Sequence, residues 1–218
     1  TSDQMQSLST SAVGSVQTTQ VGGLQTADLT ALTTSQVATL TTGVINLLNT
    51  SQLQAITSAG VAALGTSQVQ ALTTTSLSNM LATQFGALST TQLSNLTTSQ
   101  TASLTSTQVV SLSTDKLAAL NTAQVNSLST TSIAQLSGTQ VAALTTAQVA
   151  AIETDDIAAL GTLQIKSLSS AQVAALTTNQ IAAIETGDIG SLTTAAVQGL
   201  STSGIQALTT DQVAALTT

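Results

Sequence analysis

Cysteine, histidine, arginine, proline, tryptophan and tyrosine are all missing from this 218-residue chain, and Phe85 is its one aromatic side chain. Without Cys or His there is no disulfide, no thiolate or imidazole metal ligand, and no Cys or His nucleophile and base pair. Charge is also scarce. Two lysines and nine acids give a net charge of −7, with 5% of residues charged. Lys116 and Lys166 cannot neutralise a phosphate backbone, so nucleic acid is not an expected partner. Long apolar runs are missing too. The segment 44–48 is interrupted by Asn46 and falls far short of the ~20 residues of a membrane span. The composition therefore implies neither an enzyme, a cofactor protein nor a membrane-spanning chain. What it does have is apolar mass: 42% of residues are hydrophobic and the mean hydropathy is +0.38, enough to bury a core, so disorder is the weaker expectation.

That mass is periodic. From Leu8 to Leu216 every eighth residue is Leu, Val, Ile or Met, which makes (216 − 8)/8 = 26 complete octads without insertion or deletion. With this residue as position a of an octad lettered a to h, position f is apolar everywhere except Thr101. Position c is Thr or Ser except at Ala82 and Gly138. Position e is usually Gln and position h usually small, giving Leu-Thr-Thr-x-Gln-Val-x-Ala. Ser2, Gln4, Met5 and Ser7 keep this phase, and Leu216-Thr217-Thr218 opens a further octad. No linker or change of composition interrupts residues 1–218. The expectation is a single octad-repeat solenoid that is a segment of a longer array.

A continuous α-helix does not accommodate this period, because eight residues at ~100° return position a ~80° away from its predecessor. A turn is required in every octad. One solution is a very short helix per octad. Position b is Ser, Thr, Asn or Gly except at Gln17, Gln25, Leu81, Glu153 and Glu185, so it can act as N-cap with Gln at e completing a capping box, while a and f form a hydrophobic staple. Leu144, Thr145, Gln148 and Val149 supply all four parts. Such helices are too short to stand alone. The expectation is an all-α solenoid with about two octads per coil, layers ~9 Å apart, a and f inside, and Thr, Ser and Gln outside. The alternative is a β-solenoid with three octads per coil, favoured by Thr, Val and Ile. It is opposed by the scatter of the 13 glycines, since tight corners prefer Gly, Asn or Asp.

The octads 144–152 and 208–216 resemble the short repeats of very large bacterial surface and secreted proteins of the giant adhesin and haem-utilisation/adhesion type. The resemblance covers essentially the whole chain. It implies an extracellular or cell-surface location, a stalk or fibre role with self-association end to end or laterally, and no ligand-binding residues. Leu208-Thr-Thr-Asp-Gln-Val also resembles the opening of the transcription-activator-like effector repeat, with Thr in place of its Pro. The rest of that repeat is absent, so DNA binding does not carry over. A threonine-rich ice- or surface-binding protein is the alternative function.

No catalytic, cofactor or metal residue is assigned. The densest acidic runs are Glu153-Thr154-Asp155-Asp156 and Glu185-Thr186-Gly187-Asp188, four octads apart and so on one face of a two-octad coil. Their oxygens suit a hard cation, but the glycine-rich pattern of calcium-binding β-rolls is missing. Acids at b, d and e are explained by the helix dipole in a first turn. Asn49-Thr50-Ser51 and Asn95-Leu96-Thr97 match the glycosylation acceptor pattern, as chance permits in so Ser- and Thr-rich a chain. Lys116 and Lys166 read as solubilising residues at exposed e and g positions. Val44, Leu47, Leu81, Phe85 and Leu163 break the octad pattern with added apolar bulk, which marks either lateral contacts or locally compensated drift.

Overall fold

Each octad folds as its local signals direct. The computed structural model describes residues 2–216; Thr217 and Thr218, assigned to a last incomplete octad, lie outside the described residues. Among the described residues a short helix recurs in every octad, Thr18–Gly23 being a 3-10 helix and the others α, and there is no strand. Octad 144–152 shows the construction. Gln148 N–H donates to Thr145 Oγ1 at 3.1 Å, and Thr145 N–H donates to Gln148 Oε1 at 2.8 Å, which is the expected capping box. Val149 N–H closes the first α-turn on Thr145 O at 3.0 Å, and Ile152 N–H tightens the last turn on Val149 O at 3.3 Å. Ile152 and Glu153 then stand extended, at φ −62°, ψ 135° and φ −66°, ψ 154°. Those two residues are the corner. No residue with positive φ occurs among the described residues. Any L-residue can therefore occupy a corner, which explains why glycines are scattered rather than periodic.

The chain divides into two compact units, Thr1–Ser111 and Leu112–Thr218. In the first, Thr42–Leu47 packs on Thr66–Ala71, and Ser58–Ala62 packs on Ala82–Ala87. In the second, Thr122–Asn126 packs on Thr146–Ala151, which packs in turn on Ser170–Ala175. Each stacked pair begins 24 residues apart. A coil is therefore three octads, which corrects the expectation of two. Two octads per coil would demand that the chain reverse at every corner, and two extended residues with φ near −65° and no left-handed residue turn it through less. The three-octad coil, which the sequence analysis attached to strands, is built from helices.

Positions a and f fill the inside of the coils. Leu144, Val149, Ile152, Ile157 and Leu160 are buried in the second unit, as are Leu53, Ile56, Val69 and Leu72 in the first. Each such side chain contributes about 1.5–3 kcal/mol by leaving water, and this tertiary burial sustains helices of four to seven residues that are marginal alone. Thr101, the polar exception at f, is buried with its hydroxyl donating to Thr97 O at 2.9 Å. Coils approach closely enough that one glycine is obligatory. A Cβ on Gly199 would stand 2.2 Å from Ser170 O, whereas a Cβ on Gly187 would meet nothing within 4 Å. Gly199→Ala is expected to cost about 1–3 kcal/mol by forcing two backbones apart. Gly187→Ala is expected to be neutral or to stabilise by up to about 1 kcal/mol. Thermal melts of the two variants check the contrast.

Candidate functional site: the stapled interface between coils

A glutamine at e stands at the third helical position, so its Oε1 accepts the orphan N–H of residue b. Its amide nitrogen remains available. Gln148 Nε2 donates to Leu117 O at 3.1 Å, Ala118 O at 3.3 Å and Leu120 O at 2.6 Å. Gln172 does the same to Val141 O at 2.9 Å and Leu144 O at 2.8 Å. In the first unit Gln100 reaches Val69 O at 3.0 Å and Leu72 O at 2.8 Å. The offsets of 28 to 31 residues follow from the 24-residue coil: an octad lies over the one three earlier, so its N-terminus lies over the corner that closes the octad four earlier. One side chain thus satisfies an orphan donor of its own helix and orphan acceptors of another. The f carbonyl is doubly used, since Val141 O also accepts Leu144 N–H at 3.1 Å.

This overturns the expectation of glutamine outside. Gln36, Gln52, Gln100, Gln124, Gln148 and Gln180 are all buried. A signal was present in the sequence. A capping box accepts Glu or Gln alike, yet e is usually Gln and never Glu in this chain, with Asp28, Asp156 and Asp188 its carboxylates; a carboxylate can accept the N–H at b but has no hydrogen for the carbonyls of the next coil. Lesser links lie outside the glutamine. Gln54 Nε2 at g donates to Asn79 O at 2.7 Å, Asn126 Nδ2 to Ala151 O at 3.0 Å, and Ser191 Oγ at h to Thr162 O at 3.2 Å.

The irregular residues divide. Phe85 and Val44 are wholly buried, Val44 because e faces inward. Leu163, Leu47 and Leu81 are exposed at 78%, 54% and 47%. Leu81 has Val110, also exposed, in the helix stacked on its own, and the others stand apart. Lys166 is exposed, whereas Lys116 at e is half-buried. Asn49 Oδ1 caps its helix by accepting Gln52 N–H at 2.9 Å, and Asn95 Nδ2 donates to Thr91 O at 2.8 Å. Asp155, Asp156 and Asp188 do lie in first helical turns. The three-octad coil, however, puts Glu153 and Glu185 on neighbouring sides rather than one face. Among the described residues no three acidic side chains come together as a metal cluster. An open hollow of about 420 Å³ lies beside the first run, lined among others by Asn126, Glu153, Asp155 and Asn179. No helix among the described residues is long and apolar enough to cross a membrane.

A search of curated proteins finds no match. A family model described as the ALTTAQ repeat matches four times, at residues 45–79, 112–146, 149–183 and 181–218, together more than half of the sequence. Its six letters occur here as residues 143–148, and each has a place in the fold: a small h residue, a buried a residue, an N-cap, two first-turn residues and the stapling glutamine. The chain is a repeat protein with an all-α solenoid architecture, and it belongs to the ALTTAQ repeat family.

Proposed function

We propose that this chain is a non-enzymatic structural element of the bacterial cell surface, an adhesin stalk or fibre segment whose coils associate end to end. The observation that carries this reading is the self-complementarity of the stapled interface. Through most of the chain one side of a coil offers glutamine amides and the other helix-end carbonyls, and both offer apolar side chains, the octads with Asp188, Ala196 and Gly204 at e lacking the amide. Leu8 in the first unit and Ile205 and Val213 in the second are 41%, 56% and 46% exposed, at positions a and f that are buried through the interior of both units. Stacking on a further coil would bury them as it buries their equivalents. The extracellular setting rests on the resemblance to large secreted repeat proteins. Sedimentation velocity and electron microscopy across a concentration series test the association. Linear multimers that Ile205→Asp suppresses are expected, and a single monomeric species at every concentration overturns the proposal.

A further inference from the structure

The amide staple fails once through a whole coil. Octads 184–191, 192–199 and 200–207 carry Asp188, Ala196 and Gly204 at e, whereas every other run of three successive octads from Leu8 onward has at least one glutamine there. None of the three can give a hydrogen to a carbonyl of the coil beneath. In the preceding coil Gln164, Gln172 and Gln180 all reach back, approaching Ala134 O, Leu144 O and Ile152 O at 2.7, 2.8 and 2.6 Å. Across the unstapled boundary the hydrogen bonds among the described residues are two. The Thr162 hydroxyl donates to Asp188, and Ser191 Oγ donates to Thr162 O at 3.2 Å. Both serve one octad, so residues 192–207 rest on the coil below by packing alone. That packing is thinner too. Val197 and Leu200 are half-buried and Ile205 is exposed, while their equivalents Val173, Leu176 and Ile181 are buried. A Cβ on Gly204 would stand 2.7 Å from Ile181 Cδ1, so an apolar neighbour occupies the place of an e side chain there.

Glutamine returns one helix later. Gln212 Oε1 accepts Thr209 N–H at 2.9 Å, and Nε2 donates to Ile181 O at 3.0 Å, Ala182 O at 3.3 Å and Ile184 O at 2.7 Å. Those carbonyls lie at the corner from which the unstapled coil departs, so this one side chain ties the helix Thr210–Leu216 to the coil's beginning and encloses residues 185–207 between. We propose that residues 185–216 form a latched strap, which opens as one unit when the Gln212 staple is released and is the first part of the second unit to open. In a stack each coil is held by its neighbours. Once Gln212 is free, only apolar contact and the two hydrogen bonds at Thr162 restrain the remaining octads, so they leave together as a cooperative segment. Opening removes the cover from the coil that carries Ile165, Leu168, Val173 and Leu176, all buried in the closed form, and turns an inner face of the stack into an outer one. The strap belongs to a single chain and stands apart from association between chains.

Amide hydrogen exchange of the whole chain, resolved octad by octad by mass spectrometry, tests this. In the parent, the amides of Ile189, Val197 and Ile205, bonded to Glu185 O, Thr193 O and Ser201 O, should share one protection, lower than that of Val149, Ile165 and Val173. Gln212→Ala takes the donor from Ala182 O and Ile184 O and should lower the shared protection about 30-fold, leaving Val149 and Ile165 unchanged. Asp188→Gln sets an amide in the register of Gln148, over the carbonyls of residues 157, 158 and 160, and should raise it about 10-fold. The parent profile carries the test by itself should a variant not fold. Protection that declines octad by octad toward residue 216, a Gln212→Ala effect confined to residues 208–216, or an unchanged segment in Asp188→Gln would each overturn the strap.

Discussion

Val149→Asp is expected to unfold the coils around it and with them much of the second unit. Val149 is 1% exposed, with Leu144 at a as its hydrophobic-staple partner. Losing the valine removes about 2 kcal/mol of apolar transfer, and burying a carboxylate with no partner adds several kcal/mol more. The sum rivals the 5–15 kcal/mol that typically stabilises a whole domain. Ala147→Asp, two residues earlier, is the comparison. Position d is exposed and lies in the first helical turn, where the dipole favours an acid, and Asp155 and Asp211 occupy it naturally. Its effect should stay within about 0.5 kcal/mol. Urea unfolding followed by circular dichroism measures both, and similar losses at the two positions would contradict the assignment of inward and outward faces.

The second large effect belongs to the staple. Gln148→Ala strands the Thr145 N–H and takes the amide donor from the carbonyls of Ala118 and Leu120, which Gln148 serves at 2.6–3.3 Å, while Leu117 O keeps the Leu120 N–H at 3.2 Å. Each buried polar group left unpaired costs about 1–3 kcal/mol. Water will reach some of them, so a loss of about 2–4 kcal/mol is expected. Gln148→Glu separates the two halves of the role. It keeps an acceptor for Thr145 N–H but presents a carboxylate to three carbonyl oxygens, so it should lose at least as much as alanine. Amide hydrogen exchange locates the damage: protection should fall at Leu120 and neighbouring residues of the coil below as well as at Thr145. Loss confined to the substituted octad would show that Gln148 only caps its own helix.

These two substitutions also mark where sequence reading succeeds and stops. Everything within an octad was legible, because its causes act over three or four residues. Threonine at b and glutamine at e make a capping box, Leu and Val at a and f make a staple, and a period of eight forbids a continuous helix. One short helix per octad with a and f buried is the reading these favour, with a β-solenoid as the alternative that only the structure removed. What lies between octads was not legible. A sequence that repeats every eight residues has no component of period 16 or 24 that could announce the coil, so two octads and three fit equally well until corner angles are known. The angle depends on two extended residues per corner and on the amide of a glutamine meeting carbonyls 28 to 31 residues earlier, a bond with no local trace. Only the tertiary structure therefore turned Gln148 inward and moved Glu153 and Glu185 to neighbouring sides. Local chemistry specified the repeat, and closure of the coil in three dimensions decided which of its polar residues are buried.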